Sequence, residues 1–248
     1  MRIDVLFGPT AITPAAVAGR VVAVIDVLRA STTIAAALAN GARNVVPLDS
    51  ADEVITRAKQ FVRSDVRLAG ERKMLPIPGF DLGNSPREFS REAVEGKTVL
   101  LTTTNGTSAL VAIQGARDVV VASYVNFEAV CTLLRTAARG GTDVSIVCAG
   151  RDRQFSLEDA ACAGRYVRAL TKRTPRAEMG DGAFACTILD RRYGDRLDQL
   201  FADSEHGQAL ADTGFAEDLT VCAAVDSHPV IPIYQDRQIT LLGPDRER

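Results

Sequence analysis

Apolar runs alternate with amphipathic stretches along the chain, and the alternation predicts strands at 3–7, 21–25, 44–48, 67–69, 98–101, 119–122 and 144–147. Between them, helical periodicity marks 32–39, 51–62, 108–114, 126–139 and 157–170. Strands that alternate with helices predict an α/β fold, a three-layer α/β/α sandwich on a mostly parallel or mixed sheet. Right-handed crossovers would gather the strand-to-helix turns along one edge, where open α/β sheets bind ligands. The stretch 70–88, GERKMLPIPGFDLGNSPRE, breaks the periodicity with Gly, Pro, Asn and Ser and reads as a functional loop. From His228 onward, prolines point to edge strands. A boundary near 123–126 divides the chain into 1–123 and 124–248, as two α/β halves or one interlocked domain.

One unit of this pattern occurs twice. Residues 21–46 read VVAVIDVLRASTTIAAALANGARNVV, and residues 97–120 read KTVLLTTTNGTSALVAIQGARDVV. Each is an apolar run, a hydroxyl-rich turn, an Ala-rich helix and a second strand. Aligning the GAR triplets sets Thr33 on Thr107, Asp26 on Leu100 and Arg29 on Thr103. The turn of each copy opens a helix, where backbone N–H groups and the macrodipole favour anions. Two such turns suggest a phosphate-like group held between them, with the charged residues belonging to the first copy alone.

Composition narrows the chemistry. The 248 residues sit near the upper limit for one core, and 29 Lys and Arg against 31 Asp and Glu give a net charge of −2. No basic block stands apart, so neither nucleic acid nor an anionic membrane is expected as a partner. Five cysteines, none in a C-x-x-C pair, read as reduced buried thiols of a cytoplasmic protein. The N-terminus reads as a first strand, with no long apolar leader. Two histidines argue against a His-rich zinc site and an ordinary Ser-His-Asp triad. Carboxylates, Arg, hydroxyls and a hard cation remain. The oligomeric state, a homo-oligomer included, is left open.

Asp26 falls at the carboxyl end of the strand 21–25, with Arg29 three residues on. Arg29 would bind phosphate or pair with Asp26, and Ser31 and Thr32 would donate to the anion or merely cap the helix. In the second copy, Thr103, Thr104, Asn105, Gly106 and Thr107 occupy the turn, and Asn-Gly readily takes positive φ. A third turn, CAGRDRQFSLED, follows the strand 144–147. There Ser156 and Asp159 have capping-box spacing, which leaves Glu158 as the acid/base candidate, while Cys148 lacks a neighbouring His and reads as structural. The loop adds Glu71, Arg72, Asp81, Asn84 and Ser85. With Asp26 and Glu158 it supplies oxygen donors enough for Mg²⁺, although Glu71 and Arg72 would equally serve as an internal ion pair.

Taken together, VIDVLRASTT, GER…PGFDLGNSPRE, TTTNGT and CAG…FSLEDA resemble the 2-phosphosulfolactate phosphatase (ComB) family, in order from the first strand to about Gly164. The resemblance implies a Mg²⁺-dependent hydrolase of 2-phospho-3-sulfolactate in coenzyme M biosynthesis, with an α/β/α sandwich. On that reading Asp26, Arg29 and Glu158 are catalytic. The two repeated turns, with Arg72, Asn84 and Ser85, bind substrate, and the metal is held by carboxylates drawn from Asp26, Glu71, Asp81 and Glu158. Asp26 is alternatively a covalent nucleophile, but a haloacid-dehalogenase-type site wants a second Asp where Leu28 stands. The chain departs from the family pattern at Lys73-Met74, where Gly is expected second, and at 151–154, which replaces a smaller Gly-containing turn. Two rivals remain: another small phosphorylated hydroxy acid as substrate, and a non-catalytic anion-binding module.

Overall fold

The five residues of Val21–Ile25 (β2) are all buried, because this strand is covered on both faces. Val21, Ala23 and Ile25 face one cluster with Phe127–Arg139 (α6) and Leu157–Arg173 (α7). Val22 and Val24 face another with Ala30–Ala39 (α2) and Gly106–Ala112 (α5). The computed structural model, which describes residues 1–174 and 176–243, is thus the expected three-layer α/β/α arrangement. A third cluster packs Val54, from Ala51–Ala58 (α3), against Val46, Val66 and Leu100. No helix among the described residues is long and apolar enough to cross a membrane.

Among the described residues the sheet has eleven strands. One parallel run holds Asp118–Ala122 (β7), β2, Val144–Cys148 (β8) and Arg2–Leu6 (β1). The other holds Asn44–Pro47 (β3), Thr98–Thr102 (β6) and Val66–Arg72 (β4). Leu75–Pro76 (β5) folds back on β4, and Glu178–Met179 (β9) borders β1. Between the runs lies a hairpin, Pro232–Gln235 (β10) and Gln238–Leu241 (β11). The tail therefore splices the centre of the sheet instead of adding the edge that its prolines suggest. Pro232 is tolerated because it is the first residue of its strand.

Three successive antiparallel pairings, β7–β10, β10–β11 and β11–β3, make the two runs point opposite ways. The strand-to-helix turns accordingly do not share one edge, as a uniform parallel sheet would require. The copies of the repeat interlock: β2 pairs with β7 and β3 with β6, so each copy gives one strand to each run. The pairing registers also correct the alignment. Val21 opposes Asp118 while Thr98 opposes Asn44, so the structural counterpart of Asp26 is Thr103, not Leu100.

Beyond α7 the chain forms Asp181–Tyr193 (α8), Leu197–Asp203 (α9), Glu205–Asp212 (α10) and Ala216–Ala223 (α11). Gly194, Ser204 and Gly214 interrupt the periodicity between them, and none of the four is among the helices expected from the sequence. Helix α8 lies close against α7 because Gly164 has no side chain; a Cβ there would sit 1.9 Å from the Cys186 carbonyl oxygen.

Candidate active site

The two repeated turns meet. A Cβ at Gly106 would lie 2.6 Å from the Ala30 Cβ and 2.7 Å from Asp26 Oδ2, so only glycine lets α5 start against the first turn. In a flat sheet these strand ends would sit at opposite edges; the twist accumulated across the strands between them brings the corners together. Around the junction opens a cleft of about 340 Å³, lined by Asp26, Leu28, Arg29, Glu71, Asn84, Thr103, Thr104 and Asn105, with Lys73, Met74, Arg151, Asp152 and His206 at its other walls.

Backbone accounting shows what the turns offer. The Ala30 N–H donates to Asp26 Oδ1 and the Ser31 N–H to the Asp26 carbonyl. Thr107 and Thr103 exchange side-chain caps through each other's N–H groups, and the Thr104 N–H goes to Glu71 Oε1 at 2.7 Å. The N–H groups of Leu28, Arg29, Asn105 and Gly106 find no acceptor among the described residues. Unpaired donors at two abutting helix starts are the arrangement that binds an oxyanion.

Asp26 is 6% exposed. Burial pushes its carboxyl up to about 6; His206 and the Ala30 N–H oppose the rise, and Glu71 and Glu158 add to it. Its Oδ2 has no hydrogen-bond partner among the described residues. Glu71 is buried with both oxygens engaged, receiving N–H bonds from Thr104 and Met74 and the Thr104 hydroxyl. Glu158, at the start of α7, lies 3.3 Å from His206 Nδ1. Burial would raise Glu158, but the His206 imidazole, together with the Glu158 N–H and the Ser156 hydroxyl, holds the carboxyl below its ordinary value.

Asp159 departs from capping-box behaviour. The Ser156 hydroxyl accepts from the Asp159 N–H, as expected, but the Asp159 carboxylate accepts from Val27 N–H at 2.8 Å and Gly150 N–H at 3.1 Å. It thereby ties the first turn to the third. Burial, reinforced by Asp26 and Glu158, pushes it well above the carboxylate range. Arg29 is also buried: NH1 donates to Asp218 Oδ2 at 2.7 Å, NH2 to the Met74 carbonyl at 2.8 Å, and its guanidinium stacks 4.3 Å from the Phe215 ring centroid. The same Asp218 accepts the Ser85 hydroxyl at 2.6 Å. Asn84 holds its backbone through the Thr33 hydroxyl and leaves Oδ1 buried without a partner.

Several expected residues stand elsewhere. Asp81 is absent from the cleft and instead joins Arg63 and the Leu68 N–H; burial raises it, and these partners bring it below its usual value. Arg72 is exposed and donates to Thr102 Oγ1 and the Glu71 carbonyl, so the Glu71–Arg72 side-chain ion pair does not form. Ser31 Oγ accepts from the Asp26 N–H, and Thr32 Oγ1 bonds the Val27 carbonyl and Ser123, which leaves both hydroxyls inside the fold. Ser85 likewise serves Asp218. All five cysteines are free and buried, and burial raises the Cys148 thiol well above its ordinary value. His206 and Asp218 carried no local signal; only the offsets Ser-Glu-His206 and Phe215-x-x-Asp218 in an unremarked helical stretch precede them.

No group of three or more His, Cys, Asp or Glu side chains among the described residues is arranged to hold a metal. Mg²⁺ needs less, since one or two carboxylates with waters and phosphate oxygens complete its shell. Asp26, with one free oxygen and two acidic neighbours, fits that requirement. The sequence profile described as 2-phosphosulpholactate phosphatase matches residues 7–237. Relatives named probable 2-phosphosulfolactate phosphatase include one from Symbiobacterium thermophilum, 44% identical over 91% of this chain and 95% of its own. One from Carboxydothermus hydrogenoformans is 40% identical over 94% and 92%, and one from Clostridium botulinum 33% over 98% and 100%. With the interlocked turns, the unpaired N–H groups and the buried Asp26 all lying inside the matched span, the chain belongs to the 2-phosphosulpholactate phosphatase family of phosphoric monoester hydrolases.

Proposed function

We propose that the protein hydrolyses 2-phospho-3-sulfolactate to 3-sulfolactate and phosphate with Mg²⁺, the activity required in coenzyme M biosynthesis. The observation that carries the reading is the pair of abutting helix starts with four unpaired N–H groups beside a buried carboxylate. Two phosphoryl oxygens would accept from Leu28 and Arg29 on one side and Asn105 and Gly106 on the other. Such fixed donors stabilise charge on the equatorial oxygens of a loose phosphoryl-transfer transition state. Asp26 would hold the cation, with Glu71 fixing the neighbouring loop through Thr104 and Met74. When bound there, Mg²⁺ supplies charge neutralisation and a more acidic water. Arg29 shapes the wall of the phosphate subsite, its charge balanced by Asp218.

The test is phosphate release from 2-phosphosulfolactate with Mg²⁺ and with EDTA. Turnover that EDTA abolishes supports the reading. Tight binding of the ester without turnover would favour an anion-binding module, and turnover of 2-phospholactate alone would favour a different hydroxy acid.

A further inference from the structure

Four of the cleft residues come from two tight turns of one unusual kind. Strands β4 and β5 close with Arg72 opposite Leu75, so Lys73 and Met74 are the two central residues, at φ 50° and 70°. Arg151 and Gln154 exchange N–H bonds in both directions, and Asp152 and Arg153 between them have φ 50° and 63°. Two left-handed residues in succession favour Asn-Gly, because a Cβ is strained there. Neither turn contains glycine. Both line the cleft: Lys73 and Met74 from one, Arg151 and Asp152 from the other.

Buried Asp26, Glu71 and Arg29 form one part of the cleft lining, while the two turns add Lys73 and Arg151, with Asp152 the one carboxylate among the four turn residues. The Lys73 ammonium has no hydrogen-bond or ion-pair partner among the described residues. Among the described residues the Arg151 guanidinium meets only Glu205, at 3.3 Å, and that carboxylate is 92% exposed, so solvent weakens the pair. A phosphate ester with a neutral remainder gains nothing from two such cations. An ester with a second strong anion does.

We infer that Lys73 and Arg151 are specificity-determining residues that bind the acidic group of the substrate remote from its phosphate, the sulfonate if the proposed function is right. The inference rests on the phosphatase reading and adds which residues select the ester. It also gives a reason for a lysine at the left-handed position 73: a long cationic side chain there reads the substrate, and a glycine does not.

The experiment compares kcat/KM for 2-phosphosulfolactate and 2-phospholactate, which carries a hydrogen in place of the sulfonate, in wild type, Lys73→Gln, Arg151→Gln and the double variant. Each single substitution is expected to lower the ratio of the two values about tenfold, through KM for the sulfonate ester, as loss of a charge-assisted hydrogen bond does. The double variant should lower it further. Because both esters are assayed on one preparation, partial misfolding leaves the ratio unmoved. An unchanged ratio, or a parallel loss on both esters, overturns the inference, as does a wild type that uses both equally well. A wild type that releases phosphate from neither ester in Mg²⁺ refutes the phosphatase reading and the inference with it.

Discussion

The first turn runs Asp26-Val27-Leu28-Arg29 between β2 and α2; the second runs Thr103-Thr104-Asn105 between β6 and α5. Both carry N–H groups with no acceptor among the described residues, yet they are held in opposite ways. The second is neutral and caps itself through Thr103 and Thr107, with help from Glu71. The first carries two buried charges and is held from far along the chain, by Asp159 on Val27 and Asp218 on Arg29. A duplicated unit thus supplies a symmetric cradle. Asymmetry, and with it chemistry, enters through partners that only one copy possesses.

The sharpest way to break this comparison is Asp26→Asn, which keeps the shape of the first turn and removes its negative charge. Turnover should fall by about a thousandfold or more, while the fold persists. Stability should respond in the opposite sense. The folded-state value of Asp26, about 6, lies above the ordinary aspartate value of 3.8, so its destabilising effect is full above about pH 6 and disappears below about pH 4. In EDTA, thermal midpoints should therefore show Asp26→Asn more stable than wild type at pH 7 and equal to it near pH 4. A variant with near-normal kcat would remove Asp26 from the mechanism.

Arg29 tests the clamp. Asp218→Ala leaves a buried guanidinium unpaired and should cost about 3–5 kcal/mol in denaturant unfolding, whereas Arg29→Met with Asp218→Leu should recover much of that loss. Equal stability of the single and double variants would show that the pair is not what holds the first turn. Gly106→Ala should be smaller in stability, about 1–3 kcal/mol, but should lower kcat/KM strongly by forcing the turns apart at Asp26 and Ala30. If its kcat/KM matches wild type, the abutment is not needed for turnover. Smallest of all, Ser31→Ala should cost about 1 kcal/mol through the hydrogen bond lost by the Asp26 N–H and leave KM within about twofold; a large KM effect would return that hydroxyl to the substrate.

The legible part of the site lies within a few residues of a strand end. Asp26 at the end of β2, Asn105 and Glu158 beside the cap Ser156 all follow from a local pattern; Asp26 and Asn105 line the cleft, while Glu158 stands outside its lining and meets it through His206. The loop 70–88 was harder to divide. Glu71 and Asn84 enter the cleft while Asp81 turns to Arg63, and nothing in the local sequence distinguishes these oxygens. The triplet alignment misplaced the partner of Asp26 because the first copy is longer between its strands, chiefly in its helix, ten residues against seven, which the strand registers reveal.

By itself the sequence determined the α/β class, the duplicated unit, the two helix starts and the family, since periodicity, turn chemistry and ordered motifs are properties of near neighbours. Tertiary structure alone decided that the two parallel runs oppose each other, that the tail hairpin joins them, and that His206 and Asp218 belong to the site. Arg29 and Asp218 are 189 residues apart in the chain, and a hydrogen bond over that separation leaves no trace in local pattern. The same holds for the meeting of Gly106 with Asp26. It depends on the accumulated twist of the sheet, a quantity that belongs to the packed strands together and to none of them alone.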